Sequence, residues 1–417
     1  MVSVFKKKKD NIPAITTLPS STYIQGSLNG TGGTLFENFY SYLGIVLGSA
    51  GVIQGFLTSV RQLGSALLYP VWGRLSDYFG RKQFLFIGNL LLALITFIMA
   101  YAPDAITLVF LLVIQTFVNT MIIPTWSSFL GDLTPNGNRG RVLGNMGMIV
   151  SWIGNFSFLI VTIFMFLLDP ARESLDVLRI PFIIASIAYL GATFYSLILV
   201  EQKTKKPASL IPKFQITNIR FPKSYKRLLV LDAIFMLAWA AAWPLFPYIT
   251  FDVTNSWLDI GLLVFAMAIA FGIGQKAGGI LADTVGRKQG IIIGRAALVF
   301  SPALFAIAAY TNSILWMYIG NFSVGLGNGL STVCIDTILL DDAPEEHRAT
   351  FNSLYRMLMG LMGFIASMGA GVVLQLISGN IRPSLDLLIN LLLIVTFLRF
   401  LGWIGYFFLK EPEKISV

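Results

Sequence analysis

The sequence contains little charge, one cysteine and one histidine. Only 12 % of its 417 residues are charged, whereas 55 % are hydrophobic, and the mean hydropathy is +0.74. A typical soluble domain carries about 25 % charge, so too few polar residues are present to cover a water-soluble globule. This excludes a soluble enzyme, a disordered protein and a fibrous protein. Cys334 and His347, each alone of its kind, exclude a disulfide framework and leave a metal site unexpected.

Apolar stretches of membrane-crossing length follow one another along the chain. About 20 apolar residues span the hydrocarbon, where a helix satisfies its own backbone. We therefore predict an all-α membrane protein of twelve transmembrane helices, the first being the most polar. The predicted spans are 21–46, 52–73, 83–101, 106–130, 142–168, 179–200, 227–251, 257–281, 289–311, 314–338, 351–378 and 386–409.

Lysine and arginine concentrate on one side of these spans. The segments 6–9, 74–82, 139–141, 201–228 and 287–288 are rich in them, whereas the opposite loops hold little beyond Arg172, Arg179 and Arg382. The positive-inside rule then predicts a multi-pass protein of the cell membrane with both termini in the cytoplasm. The net charge of +9 indicates topology and attraction to anionic lipid, not nucleic-acid binding. No apolar h-region follows the N-terminal lysines, so no cleavable signal peptide is expected.

Two segments of the chain repeat each other. GRLSDYFGRK from Gly73 to Lys82 returns as GILADTVGRK from Gly279 to Lys288, at an offset of 206 residues. At an offset of 209, Asp132, Pro135 and Arg139 return as Asp341, Pro344 and Arg348, and Asn119 maps onto Asn328. We predict two parallel six-helix bundles, 21–200 and 227–409. A cytoplasmic linker (201–226) and cytoplasmic tails (1–20 and 410–417) complete the predicted domains.

With this repeated G-x-L-x-D-x-x-G-R-K signature, the twelve spans and the basic central linker, the chain resembles the major facilitator superfamily over essentially its whole length. The resemblance implies two bundles related by a pseudo-two-fold axis, with one solute site between them worked by alternating access. We expect a monomer in the lipid bilayer that binds a small-molecule solute and a proton, without cofactor or metal. The spans show no catalytic Ser/His or His/Asp constellation and no phosphate-binding loop, so an enzyme is not expected.

The signature predicts a latch at the cytoplasmic side. Glycines allow close turns, and Asp77 and Asp283 then reach the N-terminus of a helix in the opposite half, near Thr350 and Arg141. We expect the arginine and lysine that end the signature in each half to pair with the carboxylates at the ends of spans four and ten. Plain anchoring of helix ends by lysine and arginine is the other explanation. The latch comprises Gly73, Asp77, Gly80, Arg81, Lys82, Asp132, Gly279, Asp283, Gly286, Arg287, Lys288 and Asp341.

Charges within the spans need a partner or a function, since each costs roughly 2.5–3.5 kcal/mol at mid-bilayer. Glu37 and Arg61 lie equally far, about 18 Å, from the turn near residue 49, so we predict that they pair. Asp232 and Lys276 are likewise equidistant from the turn near residue 254, which predicts a second coupling pair. We expect Arg295 and Arg356 to reach the membrane surface. Arg399 has no predicted partner.

The Glu37–Arg61 pair exists in one half only, because Trp243 and Met267 occupy the equivalent positions. This asymmetry favours a proton-accepting or cation-binding Glu37 whose pKa Arg61 sets. A structural ion pair explains the pattern equally well.

In the family, spans one, four, seven and ten line the solute cavity. Polar and aromatic residues follow helical spacing on each of them, and interhelical hydrogen bonding is the competing explanation. Such a cavity suits an organic cation or a sugar. The predicted lining residues are Thr34, Glu37, Tyr40, Gln115, Asn119, Trp126, Trp239, Trp243, Asn321, Asn328 and Thr332.

Two subfamilies are disfavoured by departures from their patterns. Drug antiporters carry an arginine three residues before a glutamine on span four; this chain keeps the glutamine as Gln115 but has Leu112 in place of the arginine. They also carry a Gly-Pro pair on span five, which is absent from Gly147–Asn155. The sugar-porter segment after span six is also absent. A proton-coupled transporter of a small organic solute is the first hypothesis. An uncoupled facilitator and a membrane-embedded solute sensor are the others.

Overall fold

The computed structural model describes residues 18–134, 139–172, 174–199, 221–342, 348–379 and 381–409. A few side chains within these ranges are also outside the description, Asp341 among them. The predicted tails and most of the linker lie outside these residues as well. The described part is helical, with short connections and no strand, which confirms the predicted all-α fold class.

The first half contains six helices that match the predicted spans closely. The first helix is uninterrupted despite its polar residues. The helices are α1 (Ser20–Val46), α2 (Gly51–Phe79), α3 (Arg81–Met99), α4 (Ala105–Leu133), α5 (Arg139–Leu168) and α6 (Leu175–Ile198).

The second half has the same order, but three spans change geometry part-way. The helices are α7 (Lys223–Ala240), α8 (Phe246–Val253), α9 (Trp257–Thr284), α10 (Arg287–Val299), α11 (Ser301–Thr311), α12 (Ile314–Asp342), α13 (Arg348–Ser378) and α14 (Leu385–Ile404), followed by a 3₁₀ turn (Gly405–Phe408). Pro244 and Pro247 account for the break between α7 and α8, and Pro302 for that between α10 and α11, because proline lacks the amide hydrogen of a continuous helix.

The lengths and hydropathies of the helices fit membrane crossing. Nine of the described helical segments are long and apolar enough to span a bilayer. Helices α1 and α2 are not among these nine, and both contribute polar residues to the central cavity described below. If α7–α8 and α10–α11 are each counted as one span, the helix order agrees with twelve spans. Apolar side chains such as Leu167 (71 % exposed) and Leu376 (80 % exposed) face outward, where lipid is the solvent.

The two halves pack mainly within themselves and meet along two seams. In the first half α1 packs on α5 and α6, while in the second α9 and α10 pack on α12. The seams between the halves join α2 to α13 and α5 to α9. Glycines allow the first seam to close tightly, since a Cβ on Gly55 would lie 3.0 Å from the Cα of Gly371.

The signature lies mostly in helix and not in a loop, which corrects part of the sequence prediction. Gly73 is within α2 and Gly279 within α9, so neither makes a turn. Gly80 (φ 108°) and Gly286 (φ 127°) do make the sharp connections, in a left-handed region that favours glycine.

Candidate functional site

A cavity of about 550 Å³ lies between the two halves. Its volume is in the range of sites for small organic ligands. Both halves contribute to its wall, which is part polar and part aromatic. The lining residues are Glu37, Tyr40, Thr58, Arg61, Gln62, Ser65, Ala66, Tyr69, Asn119, Ile123, Asp232, Phe235, Met236, Trp239, Arg295, Asn328, Thr332, Ile335, Asp336, Tyr355, Arg356, Met359 and Gly360.

The predicted pair of Glu37 and Arg61 is present in the first half of the wall. The Nη2 atom of Arg61 donates to Oε1 of Glu37 at 2.5 Å. The Arg61 side chain is only 16 % exposed, whereas that of Glu37 is 55 % exposed. Arg61 also lies 5.6 Å from the ring centroid of Phe36. The arginine is therefore held in the wall, and the carboxylate faces the cavity.

The predicted pair of Asp232 and Lys276 is wrong. Asp232 accepts hydrogen bonds from Nη2 of Arg295 at 3.0 Å, from Tyr355 at 2.6 Å and from Tyr406. Lys276 is exposed on α9. Equal distance from a turn fixes depth along a helix but not the direction of a side chain around it. The break between α7 and α8 also shifts the depth of Asp232.

Arg295 and Arg356 differ in exposure, although the sequence predicts the same behaviour for both. Arg295 is buried, with 7 % of its surface exposed, so its predicted reach to the membrane surface is wrong. Arg356 is exposed; it donates to Asn352 at 2.9 Å and lies 3.7 Å from Asp336. Both arginines line the cavity.

The predicted lining residues divide into two groups. Six of them line the cavity: Glu37, Tyr40, Asn119, Trp239, Asn328 and Thr332. Asn119 and Asn328, which the repeat relates, therefore contribute to one site from opposite halves.

The other five predicted lining residues have different surroundings. Thr34 donates to Gly30, and Asn321 donates to Met317, each within its own helix. The side chain of Gln115 is fully buried. Trp126 approaches Gly26, and Trp243 approaches Gly363. Helical spacing alone did not separate the cavity face from the faces that pack on neighbouring helices.

Three helices of the wall, α2, α10 and α13, were not predicted to line the cavity. Tyr69 on α2 and Tyr355 on α13 line the cavity, although the family pattern pointed only to spans one, four, seven and ten. A polar stripe in α2 could have revealed its contribution, since four polar residues follow helical spacing there. They are Thr58, Gln62, Ser65 and Tyr69.

The signature residues of the first half form a cluster around Arg81. Its guanidinium donates to Asp77 at 2.7 Å, to the carbonyl of Ser128 at 2.8 Å and to Asp132. The predicted Arg81–Asp132 pair is thus present, but these contacts all lie within one half. The carboxylate of Asp77 binds Arg81; its predicted contact with the helix end near Thr350 stays a prediction, since the residues before that helix lie outside the description.

The corresponding residues of the second half are arranged differently. Lys288 donates to the carbonyl of Phe407 at 2.8 Å, and Asp283 is exposed. Lys82 and Arg287 are half-buried. The side chain of Asp341 lies outside the described residues. A latch that bridges the two halves here stays a prediction.

At the end of the molecule opposite the signature, side chains do bridge the halves. Arg172, in the connection between α5 and α6, donates to the hydroxyl of Thr254 at 2.9 Å and to the carbonyl of Phe251 at 3.1 Å. Partial burial lowers the pKa of Arg172 from its ordinary value, but an arginine remains charged. It therefore places a cation at the carboxyl end of α8, where free carbonyls favour positive charge.

Two further hydrogen bonds join the halves at the same end. Tyr248 on α8 donates to the carbonyl of Ser49 at 2.6 Å. The side-chain oxygen of Gln375 on α13 accepts from the amide of Val52 at 3.1 Å. We call the hydrogen bonds made by these three residues, Arg172, Tyr248 and Gln375, the opposite-end closure.

Known proteins resemble the chain in sequence. A family model of the Major Facilitator Superfamily matches residues 22–367. The multi-drug resistance efflux pump PmrA of Streptococcus pneumoniae is 22 % identical over 343 residues, covering 79 % of this chain and 82 % of that protein. The multidrug resistance protein MdtG of Escherichia coli is 23 % identical over 332 residues, covering 76 % and 77 %.

Solved structures share the fold. A variant of the nucleoside transporter NupG superposes with a TM-score of 0.74 at 11 % identity, over 94 % of this chain and 99 % of that one. A bacterial homologue of the iron transporter ferroportin, in its inward-facing state, has a TM-score of 0.69 at 14 % identity, over 93 % and 97 %. The family match, which spans most of the sequence, together with the shared helical fold, leads to one conclusion: the chain belongs to the major facilitator superfamily and is a multi-pass membrane transporter, not an enzyme.

Proposed function

We propose that the protein is a secondary active transporter that moves a small organic solute by alternating access, driven by protons through Glu37. The observation that carries this proposal is the half-exposed Glu37 carboxylate, bound to Arg61 in the wall of a cavity that both halves share. In this proposal the bundles 21–200 and 227–409 move against each other. The linker 201–226, the tails and both termini lie in the cytoplasm, and the protein is a monomer of the cell membrane.

Glu37 has the features of a group that exchanges a proton. Its side chain is 55 % exposed, and among the described residues its ion pair with Arg61 is made through Oε1, which leaves the second carboxylate oxygen open to water or solute. A neighbouring cation favours the ionised form of a carboxylate. A solute that displaced Arg61 would remove the counter-charge of Glu37, and this links solute binding to the carboxylate, as coupling requires.

The opposite-end closure supports alternating access. Arg172, Tyr248 and Gln375 join the halves at the end opposite the signature. A cavity closed at one end faces one side of the membrane. Under the positive-inside orientation, that side is the cytoplasm.

The wall favours amphipathic organic solutes. Tyr40, Tyr69, Trp239 and Tyr355 present aromatic rings, whose faces attract organic cations. Two relatives are named for multidrug resistance, which supports exported drugs as the first solutes to test, although Leu112 departs from the drug-antiporter pattern. A thermal-shift screen against drugs and metabolites finds ligands, because ligand binding to the folded state raises its apparent stability.

The test of coupling is transport in proteoliposomes with an imposed pH gradient. We expect Glu37→Gln to abolish proton-driven accumulation of a screened ligand and to retain exchange of labelled for unlabelled solute. Asp176→Asn is the matched control, since Asp176 also pairs with an arginine but does not line the cavity, and it keeps accumulation. Wild-type accumulation by Glu37→Gln contradicts the coupling role.

Two other outcomes identify the competing functions. Wild-type uptake that a protonophore leaves unchanged identifies an uncoupled facilitator. Specific binding without any flux identifies a solute sensor.

A further inference from the structure

Arg399 is a charged residue that the transport proposal does not use. It lies on α14 and is fully buried. Nη2 donates to the carbonyl of Trp239 at 2.8 Å, and Nη1 donates to the carbonyl of Leu298 at 2.9 Å. Nη1 also donates to the hydroxyl of Ser301 at 2.8 Å. Among the described residues, its hydrogen-bond partners are thus carbonyls and a hydroxyl, with no carboxylate.

The two carbonyls belong to helices that stop inside the membrane. Trp239 is the penultimate residue of α7, and Leu298 is the penultimate residue of α10. The last carbonyls of a helix lack partners within it and form the negative end of its dipole. An unsatisfied carbonyl is costly where lipid replaces water. The Trp239 carbonyl also accepts from the amide of Ala242 at 3.4 Å, and the Leu298 carbonyl also accepts from the hydroxyl of Ser301 at 3.0 Å. One guanidinium therefore adds a charged donor to two interrupted helix ends at once.

The same two helix ends carry residues of the cavity wall. Trp239 and Arg295 both line the cavity, and the Arg295 guanidinium lies 5.9 Å from the Trp239 ring centroid. Arg295 is one turn before Leu298 on α10. A side chain that fixes the end of α7 relative to the end of α10 therefore also fixes these two lining groups relative to each other.

The halves of the spans beyond the breaks are in contact as well. The rings of Phe246 at the start of α8 and Phe305 on α11 are 4.7 Å apart. The Arg399 guanidinium lies 5.8 Å from the Phe246 ring centroid. Arg399 is thus placed at the junction of four helical segments, α7, α8, α10 and α11.

We propose that Arg399 is a positioning residue that ties the break between α7 and α8 to the break between α10 and α11, and so fixes Trp239 against Arg295 in the cavity wall. The importance of this wall for a solute rests on the proposed function. The tie itself does not, so it is tested without transport.

Hydrogen–deuterium exchange of the full-length protein in lipid nanodiscs is the test, with Arg399→Lys as the variant. Lysine keeps the charge but lacks the planar fork that reaches both carbonyls. We expect amide exchange about tenfold faster at both breaks, 241–246 and 300–304, since the hydrogen bonds that tie the two helix ends to one guanidinium are lost together. Leu401→Ala is the control, because Leu401 is on the same helix and is half exposed.

The pattern of exchange decides the proposal. Acceleration at both breaks, with none in Leu401→Ala, supports the tie. Acceleration at one break, at neither, or equally in the control overturns it. If Arg399→Lys does not fold, Ser301→Ala removes one partner of the same guanidinium and is judged by the same pattern, with a smaller change.

A spectroscopic signature separates positioning from general stabilisation. The rings of Trp239 and Trp243 are 5.8 Å apart at an interplanar angle of 75°, so they contribute jointly to near-ultraviolet circular dichroism. The difference between the spectra with and without Trp243→Phe isolates this contribution. We expect the amplitude of this difference spectrum to be at least twofold smaller when both proteins also carry Arg399→Lys. An unchanged amplitude in folded protein overturns the positioning role.

Discussion

Glu37 and Asp232 are carboxylates of the same cavity with opposite environments. The Glu37 side chain is 55 % exposed and contacts one arginine, whereas that of Asp232 is fully buried. Asp232 accepts from Arg295, Tyr355 and Tyr406. Because a buried carboxylate needs such compensation, these three donors hold Asp232 in place in the second half. In the proposed function, Glu37 is the carboxylate that exchanges the proton.

Asp232→Asn leaves the guanidinium of Arg295 buried without its counter-charge. We expect this to lower the free energy of unfolding by roughly 3–5 kcal/mol, the usual cost of breaking a buried pair. The double variant Asp232→Asn, Arg295→Gln loses less, because no uncompensated charge remains. Thermal unfolding in detergent compares the variants.

Asp336→Asn is the control that tells whether the loss of stability in Asp232→Asn comes from burial of the pair. The Asp336–Arg356 pair is loose and solvent-exposed, so its loss costs about 0–1 kcal/mol. Equal destabilisation by Asp232→Asn and Asp336→Asn would contradict the assigned difference between a buried and an exposed pair.

The seam between α2 and α13 and the carboxyl end of α8 are the elements that close the cavity at one end. Gly55 and Gly371 bring the two long helices into close contact, and the hydroxyls of Thr58 and Ser367 lie 2.8 Å apart across the same seam. Arg172 adds a charged contact to α8. Opening at this end must separate these contacts together.

Arg172→Ala weakens the closure without touching the cavity. We expect the state open at that end to increase about tenfold, since hydrogen bonds from a charged group are lost. Labelling of Thr58→Cys in a Cys334→Ala background, with an impermeant maleimide added on the side of Arg172, reports the opening. Arg179→Ala is the control, because Arg179 pairs with Asp176 within its own helix; the same labelling rate in both variants would refute the closure.

Gly55→Ala tests the close approach of α2 to α13. The added Cβ would lie 2.8 Å from the carbonyl oxygen of Ser367, so we expect a loss of roughly 1–3 kcal/mol in stability. Gly272→Ala is the control, since no atom lies within 4 Å of its added Cβ. A thermal-shift assay in which both substitutions behave alike would contradict the tight seam.

At the scale of the whole molecule, the sequence predicted the family, the helical order and two ion pairs, Glu37–Arg61 and Arg81–Asp132. The repeated signature and the apolar spans sufficed for the first two. Depth arithmetic found Glu37–Arg61, because both residues lie on unbroken helices joined by a short turn. The same arithmetic failed for Asp232, since the break after Ala240 interrupts the constant rise per residue of the helix. Helical spacing also does not specify which neighbouring helix a side chain faces. The partners of Arg399 were not predictable, because they are backbone carbonyls and the Ser301 hydroxyl at the breaks that follow α7 and α10.

The repeat also supplies matched positions for measuring how the halves move. Phe79 and Val285 are related by the offset of 206 residues and are both exposed at the signature end. Ala171 and Asn255 are exposed at the other end, one in each half. Spin labels at these pairs therefore report the two ends of the same cavity in a Cys334→Ala background.

The most direct test of alternating access is double electron–electron resonance on these two label pairs in nanodiscs, with and without Arg172→Ala. Alternating access predicts that the distance between positions 171 and 255 lengthens as the distance between positions 79 and 285 shortens. It is refuted if the two distances lengthen together, or if both stay fixed in Arg172→Ala and in the presence of a transported solute.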